Sequence, residues 1–176
     1  MARHLILMRH AKSAWDTDVP TDFERPLAKR GRRDAPRMGK WMSREVLLPD
    51  HVVSSPAERA RETIVAVSKV LDFKKRKINW DDRVYGASLE DLTAVLADVP
   101  HKSKQVLLVG HNPGLELLLS YLVGPVKRDS MYGFGMIKTA TVVILQMPND
   151  WDALRPGCAS IKQIISPKDL KDKKDK

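Results

Sequence analysis

The sequence predicts an α/β fold: a three-layer sandwich with a mainly parallel central sheet flanked by helices and an antiparallel strand pairing at one edge. Three observations predict it. Short apolar runs such as Leu5-Ile6-Leu7-Met8 and Val106-Leu107-Leu108-Val109 have the length and continuity of strands buried on both faces. These runs alternate with stretches whose apolar residues recur at helical spacing, the order expected of strand–helix–strand units. Two of the runs stop abruptly at histidine, in Arg9-His10 and in Gly110-His111-Asn112-Pro113-Gly114. In open α/β sheets ligands bind just beyond the carboxyl ends of strands.

Leu5 to Met8 is the first strand, and a polar loop follows from Ala11 to Pro26. A helix is expected from about Ala28 to Val46. It contains Gly31, Pro36 and Gly39, and Asp34-Ala35-Pro36 offers a later start, because proline suits the first helical turn. Val52-Val53-Ser54 is a short strand. Ala57 to Leu71 is the clearest helix, with Ile64, Val67, Val70 and Leu71 at helical spacing and Pro56 at its mouth. Ile78 and its neighbours form a third strand. Ser88 to Val99 reads as a helix with Leu89, Leu92, Val95 and Leu96 on one face, and Ser88 with Asp91 resembles a capping box. Gln105 to Val109 is a strand, Leu115 to Val123 a helix. Thr139 to Leu145 and Ala159 to Ile165 are β-branched, alternating strands that suit antiparallel pairing at an edge. One domain over residues 1–166 is expected, with a charged, frayed tail over 167–176.

The chain has 176 residues and one cysteine, Cys158, so no intrachain disulfide forms and a cytoplasmic location is expected. No apolar run is long enough to span a bilayer. A cleavable leader is not expected, since its removal would take Arg9 and His10 with it. Net charge is +9 with pI near 9.7, which suits an anionic substrate, an anionic surface or nucleic acid. The basic run Lys74-Lys75-Arg76-Lys77 has no interleaved aromatic residues to stack bases, so nucleic acid is not the expected partner.

A phosphoryl group needs fixed cations around its non-bridging oxygens, and arginine supplies them in a forked geometry. Arg9 and His10 follow the first strand. Arg59 falls in the first turn of the helix after Ser54-Ser55-Pro56, and His111 follows the later strand. Singly, each also reads as structure: a strand-end hydrogen-bonder, a surface charge, a turn at Asn112-Pro113-Gly114.

In order along the chain these segments resemble the motifs of one family. Leu7-Met8-Arg9-His10-Ala11-Lys12-Ser13, Arg25-Pro26-Leu27-Ala28-Lys29-Arg30-Gly31, Ser55-Pro56-Ala57-Glu58-Arg59-Ala60-Arg61-Glu62-Thr63 and Gly110-His111-Asn112-Pro113 resemble the signature segments of the histidine phosphatase superfamily, the phosphoglycerate-mutase-like group. The short chain and the Arg-His-Ala-Lys-Ser form look most like SixA-type phosphohistidine phosphatases. The resemblance implies that His10 is the nucleophile and carries a transient phosphoryl group. It implies that Arg9, Arg59 and His111 hold the phosphoryl oxygens, His111 best when protonated. Arg25 is implied at the pocket rim, or simply as the residue orienting the loop before Pro26. Asp82 falls near the position of a general-acid glutamate in mutase-like members, and serves equally as a polar loop residue after Trp80. No cofactor and no metal are implied, and the histidines show no metal-ligand spacing. The sequence departs from the wider family at Ala11 (often Gly), Asp16 (often a phosphate-contacting Asn) and Ala28 (often a capping Thr).

The expected activity is a metal-independent phosphatase acting on protein phosphohistidine, presented by a histidine-phosphorylated signalling protein. Two alternatives remain open at this level: a small-molecule phosphomonoesterase for sugar phosphates or nucleotides, and a non-catalytic phosphate- or nucleic-acid-binding module.

Overall fold

Alternate side chains of the central strands are buried on opposite faces of one sheet, and that alternation builds two cores. In β1 (Arg3–Arg9) Leu5 and Leu7 join one hydrophobic cluster, while Ile6 and Met8 join the other. All four are fully buried, as expected of a strand covered on both sides. The computed structural model describes residues 3–74, 77–124 and 137–170. Its remaining elements are α1 (Lys29–Arg44), β2 (His51–Ser54), α2 (Glu58–Val70), β3 (Ile78–Trp80), a 3₁₀ turn (Asp82–Val84), α3 (Leu89–Ala97), β4 (Gln105–Gly110), α4 (Gly114–Val123), β5 (Val142–Met147) and β6 (Ser160–Ile165). No helix among the described residues is long and apolar enough to cross a membrane.

The six strands lie in the order β3-β2-β4-β1-β5-β6. β3, β2, β4 and β1 run parallel, β5 is antiparallel to β1, and β6 pairs antiparallel with β5 at the edge. The expected α/β sandwich and its antiparallel edge are therefore both present. α1 and α2 pack together on one face; α3 and α4 pack on the other. The connection leaving β1 leads through α1 to β2, and the one leaving β4 leads through α4 toward β5. These two neighbouring strands thus send the chain opposite ways, which opens the crevice where such sheets bind ligands.

α1 does not take the later start offered by Asp34-Ala35-Pro36. It begins at Lys29 and carries Pro36 inside. The loop after β1 fixes this early start. The Ala28 N–H donates to the Lys12 carbonyl (2.8 Å) and the Leu27 N–H to Glu62 Oε2 (2.6 Å). These bonds order the entry to a helix whose Ala28 cap offers no side-chain acceptor. Gly31 lies against the same Lys12 carbonyl, where any Cβ would fall on the oxygen. α3 starts as its sequence indicates: Ser88 and Asp91 form a reciprocal capping box. Asp169 and Leu170 of the expected tail have partners: Asp169 Oδ2 accepts from the Ser166 N–H, and the Leu170 carbonyl accepts from Arg37. Residues 171–176, like Lys75 and Arg76 of the basic run, lie outside the described residues.

Candidate active site

The ends of three parallel strands meet at one level. Arg9 pairs with Gly110 and Ser54 with Val109 in the sheet register. The next residues are held by main-chain bonds, His10 N–H to the Gly110 carbonyl (3.1 Å) and Ser55 N–H to the Val109 carbonyl (3.0 Å). The register brings His10 and His111 side by side, with ring centroids 5.0 Å apart. Arg59, in the first turn of α2, is buried. Its charge, with those of Arg9 and Arg25, acts on His10. Arg9, His10, Arg25, Arg59 and His111 thus converge, as the spacing of the motifs leads one to expect.

Hydrogen bonding sets the chemical state of His10. Its Nδ1 lies 2.8 Å from the Ala11 carbonyl. A carbonyl can only accept, so Nδ1 carries the proton and Nε2 keeps a free lone pair. Burial pushes the His10 pKa down to about 4; Arg59, Arg9 and Arg25 push the same way against the Ala11 carbonyl. At neutral pH the ring is an uncharged base with Nε2 available. The Ala11 N–H donates to Thr63 Oγ1 (3.0 Å), whose hydroxyl donates to the Arg59 carbonyl (2.6 Å). One threonine in α2 therefore ties the segment after His10 to the residue that carries the second arginine.

His111 is held differently. Its Nε2 lies 2.7 Å from Ser55 Oγ, which also accepts the Ala57 N–H at 3.2 Å. Burial, then His10 and Arg59, push the His111 pKa down to about 3, with Asp22 opposing. The unliganded ring is neutral at pH 7, whereas the protonated form expected from sequence is the one a bound phosphate would favour. The reason is that it sits buried beside two guanidinium groups; a bound dianion would reverse that balance. His111 Nδ1, Arg9 Nε and Arg59 Nε are buried with no hydrogen-bond partner in the structure. Buried polar atoms are normally paired, and these three nitrogens belong to residues that lie against His10 or act on it electrostatically.

Asp22, which the sequence did not single out, occupies the centre of the arginine network. Its Oδ2 accepts from Arg59 Nη2 (2.9 Å) and from the Tyr85 hydroxyl (3.1 Å). Its Oδ1 accepts from Arg25 Nη2 (2.8 Å) and its carbonyl from Arg59 Nη1 (2.7 Å). Burial would raise this carboxyl, but Arg25, Arg59 and Tyr85 outweigh it and hold it below the usual carboxylate range. The Phe23 carbonyl accepts the Glu58 N–H at the start of α2, which docks the long loop on that helix and delivers Asp22 to Arg59. The available signal was the spacing Asp22-x-x-Arg25, an ion-paired turn. Tyr85 and Phe23 form an edge-to-face pair (5.1 Å), and Tyr85 also meets His111 edge-on (5.6 Å).

Arg25 lies in the network, donating to Ser13 Oγ (2.7 Å) and stacking on exposed Trp15 (3.9 Å). Asp82 does not join it. Its side chain is exposed and makes no hydrogen bond or ion pair among the described residues; the neighbouring Asp81 caps the 3₁₀ turn and holds Arg83. Asp16 is likewise exposed. The one metal-capable grouping among the described residues, exposed His101, Asp150 and Asp152, adjoins the opposite end of β4 from His111.

Residues 5–93 match the model of the histidine phosphatase superfamily, branch 1. The chain belongs to this superfamily. As a member it is a phosphatase with a SixA-like fold. A protein of Mycobacterium tuberculosis described as uncharacterized is 31% identical over 157 residues, covering 88% of this chain and 96% of that one. The structure of a putative phosphohistidine phosphatase SixA from Agrobacterium tumefaciens superposes with a TM-score of 0.80 at 25% identity, over 95% of this chain and 99% of that one. The corresponding putative enzyme from Nakamurella multipartitia gives 0.78 at 29% identity, over 95% and 97%. In this superfamily member the four motifs are the segments that converge on His10.

Proposed function

We propose that this phosphatase hydrolyses protein phosphohistidine through a phosphoryl group carried on His10, without a metal ion. Neutral Nε2 of His10 attacks phosphorus in line, forming a P–N bond as the bond from phosphorus to the substrate imidazole breaks. The electron pair leaves with the substrate nitrogen. Water then attacks the phosphoryl group on His10, the second P–N bond breaks, its pair returns to Nε2, and inorganic phosphate is released. Arg9, Arg59 and His111 hold the non-bridging oxygens, with Arg25 at the rim. Fixed cations of this kind stabilise the spread of negative charge in the transition state and take the place of a metal ion.

Asp22 carries the choice of substrate. It is the carboxyl hydrogen-bonded to two of these arginines, and they hold it ionised. An ionised carboxylate cannot hand a proton to a departing alkoxide, which needs one. An imidazole is a far better leaving group and can arrive already protonated. The similarity to putative phosphohistidine phosphatases points the same way. A cytoplasmic setting suits the free Cys158.

Rapid quench with labelled phosphohistidine peptide tests the reading. Acid-labile, alkali-stable label is expected on the wild-type protein and not on His10→Ala, and chelators should leave turnover unchanged. The wild type should favour phosphohistidine over alkyl and sugar phosphates in kcat/KM. A preference for sugar phosphates would transfer the assignment to a small-molecule phosphomonoesterase.

A further inference from the structure

The charge of this chain is concentrated on one helix that the chemistry above does not use. α1 holds seven of the 31 Lys and Arg residues in 16 positions, against a single acid, Asp34. At 3.6 residues per turn, Lys29, Arg30, Arg33, Arg37, Lys40 and Arg44 fall within an arc of about 100°. The buried residues Gly31, Ala35, Met38 and Met42 occupy the opposite side. All six cations of the stripe are exposed except half-buried Arg37. Asp34 is buried and pairs with Arg30 (3.2 Å) and Arg33 (3.3 Å), and Arg37 reaches the Leu170 carbonyl. Lys29, Lys40 and Arg44 have no ion-pair partner among the described residues. A 16-residue helix makes this stripe about 24 Å long.

Like charges so aligned repel one another and cost stability, so the pattern is not explained by folding. Among the described residues the only carboxylate paired with the stripe is Asp34, which meets Arg30 and Arg33. The stripe starts at the active site. Ala28 bonds to Lys12, two residues past His10, and Arg25 lies four residues before the helix. The start of α1, with Lys29 and Arg30, is thus tied to the loop that follows His10.

We propose that the cationic stripe of α1 is the docking surface for an acidic face of the phosphorylated protein substrate. This rests on the phosphohistidine reading above. Charge complementarity selects the partner by raising the encounter rate and weakening mismatched complexes. A protein fits better than nucleic acid, because the one aromatic residue of the helix, Trp41, is buried in the core and offers no stacking platform. The apolar face of α1 is likewise occupied by the core, so the helix cannot lie in a lipid interface.

The test uses synthetic phosphohistidine peptides of one length whose flanks are rich in glutamate, glutamine or lysine. It compares the wild type with Lys40→Glu/Arg44→Glu, a double variant remote from His10. Wild-type kcat/KM should be highest for acidic flanks, by about tenfold over neutral ones, chiefly through KM. Added salt and the double variant should each remove that preference, while p-nitrophenyl phosphate turnover stays unchanged and Tm does not fall. Equal kcat/KM on all three peptides, or a preference that survives charge reversal, would overturn the docking surface and leave the substrate reading intact. Turnover of p-nitrophenyl phosphate with none of any phosphohistidine peptide would overturn both. Salt-sensitive oligonucleotide binding lost in the same variant, without a peptide preference, would assign the stripe to nucleic acid instead.

Discussion

Asp22 and Asp82 carry the same functional group in different surroundings, and those surroundings give opposite expectations for the two amides. Asp82 is exposed at the start of a turn, and its side chain bonds none of the site residues. Asp82→Asn should therefore leave kcat/KM on phosphohistidine and on alkyl phosphates within about twofold, as surface substitutions usually do. Asp22 accepts from Arg25 Nη2 and Arg59 Nη2, on two of the cations proposed to face the phosphoryl group. Asp22→Asn removes a competing negative charge, so inorganic phosphate should inhibit several-fold more strongly in a competitive assay; weaker inhibition would mean that Asp22 assists anion binding. The residues of the motifs were legible because strand ends and a helix start fix their positions locally. Asp22 was not, because its place depends on a long loop held by bonds to distant residues, the Glu58 N–H to the Phe23 carbonyl and Arg59 to the Asp22 carbonyl among them.

At the scale of elements, two substitutions separate what was readable from what was not. The capping box of α3 is written in consecutive residues and forms as expected. Ser88→Ala should cost about 1 kcal/mol in urea unfolding and leave turnover unchanged, since α3 contributes no side chain to the site. α1 is different. Proline at position 36 and glycine at 31 argued for a late start, yet contact with the loop after His10 overrides both local preferences. Gly31→Ala raises intrinsic helix propensity by roughly 1 kcal/mol, but its methyl would strike the Lys12 carbonyl. The expected outcome is a lower Tm together with a fall in kcat, because the displaced loop begins at the His10 anchor. A gain in Tm would show that the loop yields easily and that α1 propensity governs the site's stability.

For the whole molecule, topology makes the site and also sets how stability varies with pH. Alternation of apolar runs and helical spacing was enough to read the sandwich and its edge. The motifs indicated that cations and imidazoles meet at the β1–β4 switch point; the register shows how closely they crowd, and the cost appears in the histidines. Burial and neighbouring charge push His10 down to about 4 and His111 to about 3, whereas an unfolded chain titrates them near 6.5. Between pH 6.5 and 4 the unfolded state therefore binds more protons than the folded state. Stability must fall as pH is lowered through that window and level off above it. Urea unfolding at a series of pH values should show this decline, and the double variant His10→Asn/His111→Asn should show a shallower one. Saturating inorganic phosphate should also soften the decline in the wild type. A bound anion favours protonated His111, so part of the proton uptake would then accompany the folded state. If phosphate raised stability equally at pH 7 and pH 5, its binding would not be coupled to the protonation of His111.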